Sequence, residues 1–494
     1  MMKKPAGLYQ NTLLLSALSV LERGLGFVYR IALARLLGAE GLGVYQVAVS
    51  YFFMLRTLGG GGLPVTLSRT VAKNNAENGD RKNGGVLSSA LLLSLFVTLP
   101  LTLFFLLFSD KIPALARGGA PLKLLVLSLS PACAYAVIKG FFFGNKQFAA
   151  PALLEFFEEI VMTVLGAGLL LLTGPFTPVG GATRAALAMS ISCFLSFLFS
   201  LFTLLKQKFR FCPPRDLKPL LFSAAPITAV RSGSTLVGAV VSTLLPLFLV
   251  KTGMTEGEAL AAYGVATGMV LPLLTMPMTI VGSLATVLVP DLSEAYHRKD
   301  AAKLSRGVEK GLLFTVLLAC GLIPLFNAVG EELGRLAYGN ELAGEMLSRS
   351  GALLLPMSLC AITQSMLNSM GFEKQSFVFS CFGSALFLLA VFFLPNVCGI
   401  YAYIVGLALE FLLGAICALA FLLKRSSVSK AFYKKSIAAV LLVLPPSLFG
   451  KASLGVFLRF FGEPYALFFA ALSVLAVTLL LFFLFGLFQK SDRA

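Results

Sequence analysis

Four arginines lie inside long apolar runs of the sequence, where a charged side chain is costly. They are Arg23, Arg30, Arg56 and Arg231. An arginine at the centre of a membrane-spanning helix costs about 2.5–3.5 kcal/mol on insertion scales, so each should face a cavity or a partner. The planar guanidinium donates paired hydrogen bonds that suit phosphate. We predict that the four form a cationic, substrate-binding cavity. The alternative is that they are structural and pair with neighbouring carboxylates or carbonyls.

The positions of these arginines along their helices favour a shared site. Arg23, Arg56 and Arg231 each lie about 20 Å from the predicted start of their helix, close to mid-membrane. Arg30 follows Arg23 by two helical turns and falls on nearly the same face, about 10 Å further along. Glu22 is the only acidic residue deep in these runs. The predicted set is therefore net positive and should select an anionic substrate.

Glycines and a proline interrupt the run that holds Arg56. They are Gly59, Gly60, Gly61, Gly62 and Pro64. Such a segment cannot continue a regular helix without cost, and breaks of this kind occur where backbone lines a cavity. We interpret the segment as a hinge for alternating access; the alternative is a static kink that permits close packing.

Acidic residues inside apolar runs are rare here. Glu410 stands alone in mid-helix, and together with Glu22 it is a candidate for cation or proton coupling, against the alternative of a hydrogen-bonded packing residue. Glu155, Glu158 and Glu159 follow a proline at the predicted start of a helix. Acids there favour the helix dipole, so we interpret these three as capping, solvated residues.

Common catalytic and metal-binding patterns are missing from the sequence. His297 is the single histidine, no two of the eight cysteines form a Cys-x-x-Cys pair, and nothing matches a nucleophile elbow or a P-loop. The sequence predicts a protein that is not an enzyme, with no catalytic residues, no metal and no cofactor.

The composition indicates a membrane protein. Of the 494 residues, 57% are hydrophobic and 13% are charged, whereas soluble domains have about half and a quarter. We predict an all-α polytopic protein with about fourteen transmembrane helices. The predicted spans are 10–37, 43–72, 84–108, 122–143, 151–173, 182–205, 218–250, 259–289, 306–328, 346–370, 374–394, 399–423, 433–449 and 464–488.

The positive charge orients these helices. The formal net charge is +17. Lysines and arginines are about three times as frequent in the loops that lie on the same side of the membrane as the N-terminus as in the loops on the other side. Since positively charged loops stay in the cytoplasm, this bias predicts a multi-pass protein of the plasma membrane with both termini cytoplasmic. Positive charge in short loops contacts anionic membrane lipids and does not indicate nucleic-acid binding.

Weak internal similarity suggests a repeat. The stretch from Pro131 resembles that from Pro356, and Leu67-Ser68 matches Leu292-Ser293 at the same offset. The repeat pairs helices 1–6 with helices 7–12 in the same orientation, as two bundles around a central cavity. We predict six-helix lobes over 1–212 and 213–428, two additional helices over 429–494, and a monomer.

Several motifs resemble a known family. The stretch from Glu22 to Arg30 reads Glu-Arg-Gly-Leu-Gly-Phe-Val-Tyr-Arg, and residues 34–46 read Ala-Arg-Leu-Leu-Gly-Ala-Glu-Gly-Leu-Gly-Val-Tyr-Gln. With Gly62-Leu-Pro64 and Leu288-Val-Pro-Asp-Leu-Ser-Glu294, these resemble the stage V sporulation protein B group of polysaccharide biosynthesis membrane proteins. That group belongs to the multidrug/oligosaccharidyl-lipid/polysaccharide (MOP) flippase superfamily, together with the lipid II flippases.

The resemblance implies a two-lobed fold with a central cavity and movement of undecaprenyl-pyrophosphate-linked sugars to the outer leaflet. The lipid II flippases carry essential arginines in helices 1 and 2, and Arg23, Arg30 and Arg56 are the nearest matches. The Arg23–Arg30 spacing is one residue longer here. Some of those flippases bind sodium through carboxylates of helix 7, a helix that has no Asp or Glu in this sequence.

Our functional hypothesis is a flippase for an anionic, polyprenyl-pyrophosphate-linked saccharide precursor of the cell envelope, lipid II-like or another polysaccharide unit, that works by alternating access with a coupling cation or proton. Two alternatives stay open at this point. One is a cation-coupled multidrug exporter of the MATE type, and the other is a membrane scaffold of envelope assembly that transports nothing.

Overall fold

The computed structural model describes residues 8–77, 83–109, 118–207, 209, 212–215, 217–426 and 428–488, with side chains from Leu18 onward. Every regular element in these ranges is a helix, as predicted. The helices are α1 (Leu8–Gly60), α2 (Leu63–Glu77), α3 (Asn83–Phe108), α4 (Gly119–Leu127), α5 (Leu129–Gly144), α6 (Ala149–Leu172), α7 (Pro178–Lys206), α8 (Leu217–Lys251), α9 (Glu256–Gly264), α10 (Leu271–Thr275), α11 (Met278–His297), α12 (Ala301–Tyr338), α13 (Glu341–Ser350), α14 (Leu354–Ser369), α15 (Glu373–Phe393), α16 (Pro395–Cys398), α17 (Tyr401–Leu423), α18 (Lys430–Leu441), α19 (Leu444–Phe460) and α20 (Glu463–Leu484).

These helices make the chain a multi-pass membrane protein. Among the described residues, twelve helices are long and apolar enough to span a membrane, and thirteen if α4 and α5, bent by 46°, form one broken span. Each of the fourteen predicted spans has a counterpart. The counts differ partly because the continuous stretch Leu18–Glu77 counts once, although it contains two predicted spans. In addition, α6, which carries three glutamates, is not among the thirteen, and the predicted span 259–289 corresponds to two of them, Glu256–Thr275 and Met278–His297.

A kink divides α1 into two helices. Gly38 has φ 68° and ψ 176°, outside the helical region, and this conformation is essentially restricted to glycine. The kink lies where the first two predicted spans meet. After it, the helix continues to Gly60, bends at Gly61 and Gly62, and resumes as α2 at Leu63. The predicted interruption is therefore confined to two of the four consecutive glycines.

The prediction of one continuous helix over 259–289 is wrong. The chain forms α9, then a π-helical turn at Val265–Val270, then the short α10, and α11 begins only at Met278. Pro272 and Pro277 lie in this stretch, and proline removes a helical hydrogen bond and clashes with the preceding turn. The apolar pattern continues through these breaks, which is why hydropathy alone did not find them.

Contacts divide the chain into two compact units. The first unit contains the residues up to Val250 and the segment Met254–Gly264; the second contains Lys251–Gly253 and the residues from Val265 onward. The predicted lobes 1–212 and 213–428 describe a repeat in the sequence, and that repeat stays a prediction. In the structure, α8 and α9, which the repeat assigns to its second half, belong to the first unit.

Close packing in the first unit fixes the position of α2. A buried apolar cluster joins α2, α3, α5, α7 and α8, with Tyr135, Phe142 and Leu204 fully buried within it. A Cβ atom added at Gly140 of α5 would lie 2.5 Å from the carbonyl oxygen of Pro64. Since these two backbones touch, α5 holds the start of α2 and the break before it.

The second unit is organised around α12, a helix of 38 residues. Asp300 caps its first turn by accepting a hydrogen bond from the backbone N–H of Lys303, and Gly339 ends it with φ 65°. The last three helices, α18, α19 and α20, pack against α12. Residues such as Ala328, Val329 and Val474 form one of the apolar clusters between them.

Candidate functional site

The glycine break between α1 and α2 contacts α8 directly. The backbone N–H of Gly62 donates to the Thr228 hydroxyl at 2.9 Å, and a Cβ atom at Gly62 would lie only 2.2 Å from the carbonyl oxygen of Ala224. Arg231, one turn further along α8, donates from Nη1 to the carbonyl oxygen of Gly61 at 2.8 Å. Glycine is required at Gly62 because no side chain fits between the two backbones.

A cavity of about 400 Å³ opens beside this break, within the first unit. It is lined by Phe53, Arg56, Thr57, Gly60, Gly61, Pro64, Cys133, Ala136, Arg231, Ser234 and Thr235. The lining includes two of the four predicted arginines and three hydroxyl groups, and it includes no carboxylate. The start of α2 adds the positive end of a helix dipole at Pro64. Such a set of groups suits an anion.

The two cavity arginines keep hydrogen-bonding capacity for a ligand. Arg56 is half-buried and Arg231 is exposed. The bond from Arg231 to Gly61 uses one of the five N–H groups of a guanidinium. Within the described part of the chain, none of the four predicted arginines forms an ion pair. Their charges are therefore not neutralised by direct contact with an acid.

Arg23 and Arg30 lie elsewhere in the first unit and do not line this cavity. Both are exposed on α1. Between them along the helix, a Cβ atom added at Gly26 would lie 2.6 Å from Oε1 of Glu159. The close approach of α6 to α1 thus inserts a carboxylate between the positions of the two arginines.

The interpretation of the α6 glutamates as capping, solvated residues is wrong. The helix begins at Ala149, and none of the three lies in its first turn. All three are half-buried, and Glu155 accepts a hydrogen bond from Lys139 of α5 at 2.9 Å as an ion pair. Glu158 interacts electrostatically with Arg56, and Glu159 with Arg30.

This finding changes the expected charge of the site. The predicted net positive set counted carboxylates only on the helices that carry the arginines. Because α6 packs on α1, its carboxylates join the electrostatic environment of two of these arginines, Glu158 acting on Arg56 and Glu159 on Arg30. A sequence signal was available, since spacings of three and four residues place all three glutamates on one face of a helix. What that face contacts was not visible in the sequence.

The two candidate coupling residues have different surroundings. Glu22 is half-buried on α1, and its charge interacts with Glu155, Lys139 and Arg23. Glu410 lies on α17 of the second unit, where it accepts a hydrogen bond from the Ser384 hydroxyl at 2.7 Å. Glu22 therefore belongs to the charged cluster around α6, and Glu410 does not.

Comparison with known proteins gives the family. A model of the family described as polysaccharide biosynthesis protein matches residues 8–296. The chain belongs to this family. The part of the chain that carries the family match includes all four arginines, the glycine break and the three glutamates of α6.

Two relatives from Bacillus subtilis (strain 168) are similar in sequence to this member of the polysaccharide biosynthesis protein family. Stage V sporulation protein B is 26% identical over 438 residues, which cover 85% of this chain and 83% of the relative. Lipid II flippase MurJ is 26% identical over 199 residues, which cover 36% of each chain.

Two solved structures share the fold. Lipid II flippase MurJ in an inward closed conformation has a TM-score of 0.71 and 17% identity, with 96% of this chain and 99% of that chain covered. An inward-facing multidrug resistance MATE family transporter of the MOP superfamily has a TM-score of 0.67 and 16% identity, with 83% and 96% covered. The chain therefore has the fold of the MOP superfamily transporters.

Proposed function

We propose that this protein is a flippase that moves a polyprenyl-pyrophosphate-linked saccharide precursor of the cell envelope across the cytoplasmic membrane. The observation that carries the proposal is the cavity that contains Arg56 and Arg231 beside a broken membrane helix. Two guanidinium groups and several hydroxyls in a membrane-spanning region suit a phosphate-bearing ligand. The family and the named activities of its relatives point the same way.

The proposed substrate has a lipid-soluble chain and a charged head group, and only the head group needs a cavity to cross the membrane. A polyprenyl chain is soluble in the bilayer, but a diphosphate with its sugars is not, because charge in hydrocarbon is costly. The protein supplies the arginines as counter-charges for the diphosphate while the lipid chain stays in the bilayer. No covalent bond is made or broken, so the proposed activity is transport and not enzyme catalysis.

Alternating access requires a part of the fold that bends. The break at Gly61 and Gly62 is the proposed hinge, extended by Gly59, Gly60 and Pro64. Because Arg231 donates to the carbonyl oxygen of Gly61, α8 and the hinge can respond together when an anion competes for that guanidinium. The proposed setting is the plasma membrane, with cytoplasmic termini, a monomeric transporter and a coupling cation or proton.

A multidrug exporter of the MATE type is the alternative with the same fold. A cavity for cationic drugs should contain carboxylates, whereas the lining here contains two arginines and no acid. The charge of the cavity thus favours an anionic substrate. The scaffold alternative predicts that substitutions in the cavity have no effect.

Binding of undecaprenyl diphosphate to the purified protein in lipid nanodiscs tests the proposal, with undecaprenol as the uncharged control ligand. Arg56→Ala and Arg231→Ala should each weaken binding roughly ten- to hundred-fold, since a charge-assisted hydrogen bond contributes about 1.5–3 kcal/mol. Arg459→Ala, at an exposed arginine near the end of α19, is the matched control. Equal affinity for both ligands, or full affinity in both cavity variants, would overturn the proposal.

A further inference from the structure

The cavity beside the glycine break contains more than the two arginines that the proposed function uses. Phe53, Thr57, Ser234 and Thr235 also line it. The Phe53 ring is 43% exposed, and it lies one turn before Arg56 on the same face of α1. These four side chains carry no charge and supply no counter-charge for a diphosphate. They suit a neutral part of the ligand.

Contacts between α1 and α8 fix the order of these groups along the cavity. The hydroxyls of Tyr51 and Thr243 share a hydrogen bond of 2.6 Å, and the Arg231 guanidinium binds the carbonyl oxygen of Gly61. The two helices therefore run antiparallel here, with Arg231 at the end next to the break. Phe53 precedes Gly61 by eight residues, which is about 12 Å of helix. The aromatic ring thus lies at the end of the cavity away from the break.

The hydroxyl groups between these two ends act as hydrogen-bond acceptors toward a ligand. Thr57 donates from Oγ1 to the carbonyl oxygen of Phe53 at 2.8 Å. Ser234 donates to the carbonyl oxygen of Arg231 at 3.1 Å, and Thr235 donates to the same oxygen at 3.4 Å. A hydroxyl has one hydrogen but two acceptor sites. Because each hydrogen is bonded within its own helix, each oxygen is left to accept.

This distribution of donors and acceptors matches a diphosphate joined to a sugar. Bonds from serine and threonine to their own helix are common, so the hydroxyls alone indicate no ligand. Here they lie between an exposed aromatic ring and guanidinium groups, which only donate. An ionised diphosphate only accepts, whereas a sugar offers hydroxyl or amide donors and an apolar C–H face that packs on an aromatic ring.

The volume of the cavity limits how much of a saccharide it encloses. About 400 Å³ is near the lower end of the roughly 300–1,000 Å³ found for pockets that enclose drug-sized ligands. A diphosphate with one sugar is a ligand of that size, and a diphosphate with a longer saccharide is larger. Sugars beyond the first therefore extend past the lining residues.

We propose that the cavity recognises the diphosphate together with the first sugar attached to it, and that the face of this sugar packs on Phe53. The inference rests on the proposed function. The diphosphate binds Arg56 and Arg231, and the hydroxyls of Thr57 and Thr235 accept hydrogen bonds from the sugar. The site is specific for the junction of diphosphate and sugar and tolerates different saccharides beyond it.

Binding of three ligands to the full-length protein in lipid nanodiscs tests this inference. They are undecaprenyl diphosphate, the same lipid with one N-acetylglucosamine, and the same lipid with a disaccharide of that sugar. The wild type should bind the one-sugar ligand roughly tenfold more tightly than the bare diphosphate, because each added neutral hydrogen bond contributes about twofold to tenfold. The second sugar should change the affinity by less than about twofold, since it makes no contact with the lining.

The variants are compared by the ratio of their affinities for the one-sugar ligand and the bare diphosphate. Phe53→Leu keeps an apolar side chain without the ring, and Thr235→Val keeps the shape without the hydroxyl. Each should lower the ratio to about threefold or less. Arg231→Ala should weaken the binding of both ligands and keep the ratio. Phe96→Leu is the control, because Phe96 is 79% exposed on α3 and does not line the cavity; it should behave as the wild type.

Equal affinity of the wild type for the bare and the one-sugar ligand overturns this inference and leaves the proposed function intact. A wild-type ratio in both Phe53→Leu and Thr235→Val, or a second sugar that strengthens binding as much as the first, has the same consequence. Thr57→Val takes the place of either variant if that variant does not fold. No binding of any of the three ligands by the wild type would overturn both proposals.

Discussion

Arg231 shows how a membrane arginine can be held in place while its charge stays available. One N–H binds the carbonyl oxygen of Gly61, which orients the guanidinium toward the cavity that it lines. A carbonyl is a neutral acceptor, so the positive charge is not cancelled. The same contact joins the arginine to the break between α1 and α2, where the chain leaves the helical conformation.

At the residue scale, Gly62→Ala should destabilise the fold. The added Cβ would lie 2.2 Å from the carbonyl oxygen of Ala224, and overpacking of this kind costs about 1–3 kcal/mol. Thermal unfolding of the detergent-solubilised protein, followed by light scattering, measures the effect. Gly238→Ala, with nothing within 4 Å of the added atom, is a control on α8 and should unfold like the wild type. Equal unfolding temperatures for both variants would contradict the close contact of α8 with the break.

The ion pair between Lys139 and Glu155 gives a second prediction at this scale. Its side chains are 15% and 37% exposed, so removal of one partner leaves a partly desolvated charge. Lys139→Met alone should cost about 1–3 kcal/mol of stability, and addition of Glu155→Gln should recover part of it. Unfolding temperatures of the two single variants and the double variant measure the coupling. Additive effects would show that the pair contributes nothing.

At the scale of the elements, two glycine-dependent features shape α1 and α2. The kink at Gly38 needs glycine because its φ is positive, whereas the break at Gly61 and Gly62 needs glycine because a side chain at Gly62 would collide with α8. Neither reason applies to Gly60, which ends α1. Its φ is not positive, and an added Cβ would make only ordinary van der Waals contacts at 3.8 Å. These differences allow the hinge and static-kink interpretations to be separated.

Gly60→Ala should leave folding and ligand binding unchanged but slow transport, if the segment acts as a hinge. The nearest atoms to the added methyl group are the Cys133 Cβ and the Ser94 Oγ, at ordinary van der Waals distance. Alanine restricts the backbone conformations that a hinge must pass through. Flipping of a fluorescent polyprenyl diphosphate in reconstituted vesicles, compared with its binding affinity, measures the two effects. A wild-type transport rate would favour the static kink.

Gly38→Ala should destabilise α1 by about 1–3 kcal/mol, because φ 68° with ψ 176° is accessible essentially to glycine alone. Gly24→Ala is the control on the same helix, since the added atom meets nothing within 4 Å and the backbone there is helical. Thermal unfolding compares the two variants. If both unfold at the wild-type temperature, the kink is not an obligatory part of the fold.

At the scale of the whole molecule, the charge bias of the loops gives the chain its predicted orientation. Cys212 is exposed in a connection predicted to be cytoplasmic, and Pro175 is exposed in a connection predicted to be external. In a variant that retains only Cys212, a membrane-impermeant maleimide should label permeabilised cells but not intact cells. Pro175→Cys, in a background without other cysteines, should be labelled in intact cells. The reverse pattern would invert the topology.

The sequence by itself determined that this chain crosses a membrane many times and that its arginines need an anionic or polar partner. Hydropathy and the free energy of membrane insertion are sums over residues that are adjacent in the sequence, so both can be calculated without knowledge of the tertiary structure. The sequence also placed a boundary between the first two spans, where the structure has the kink at Gly38, and an interruption that contains the break at Gly61 and Gly62, because glycine and proline act on the backbone where they stand.

Only the tertiary structure decided which residues meet. Arg56 and Arg231 share one cavity although they are far apart in the sequence, and Glu159 lies against Gly26. Helical spacing put the three glutamates of α6 on one face, but the partner of that face is set by how helices pack. That packing depends on contacts such as Gly26 and Gly166, where small residues let α1 and α6 approach, and no local pattern encodes it.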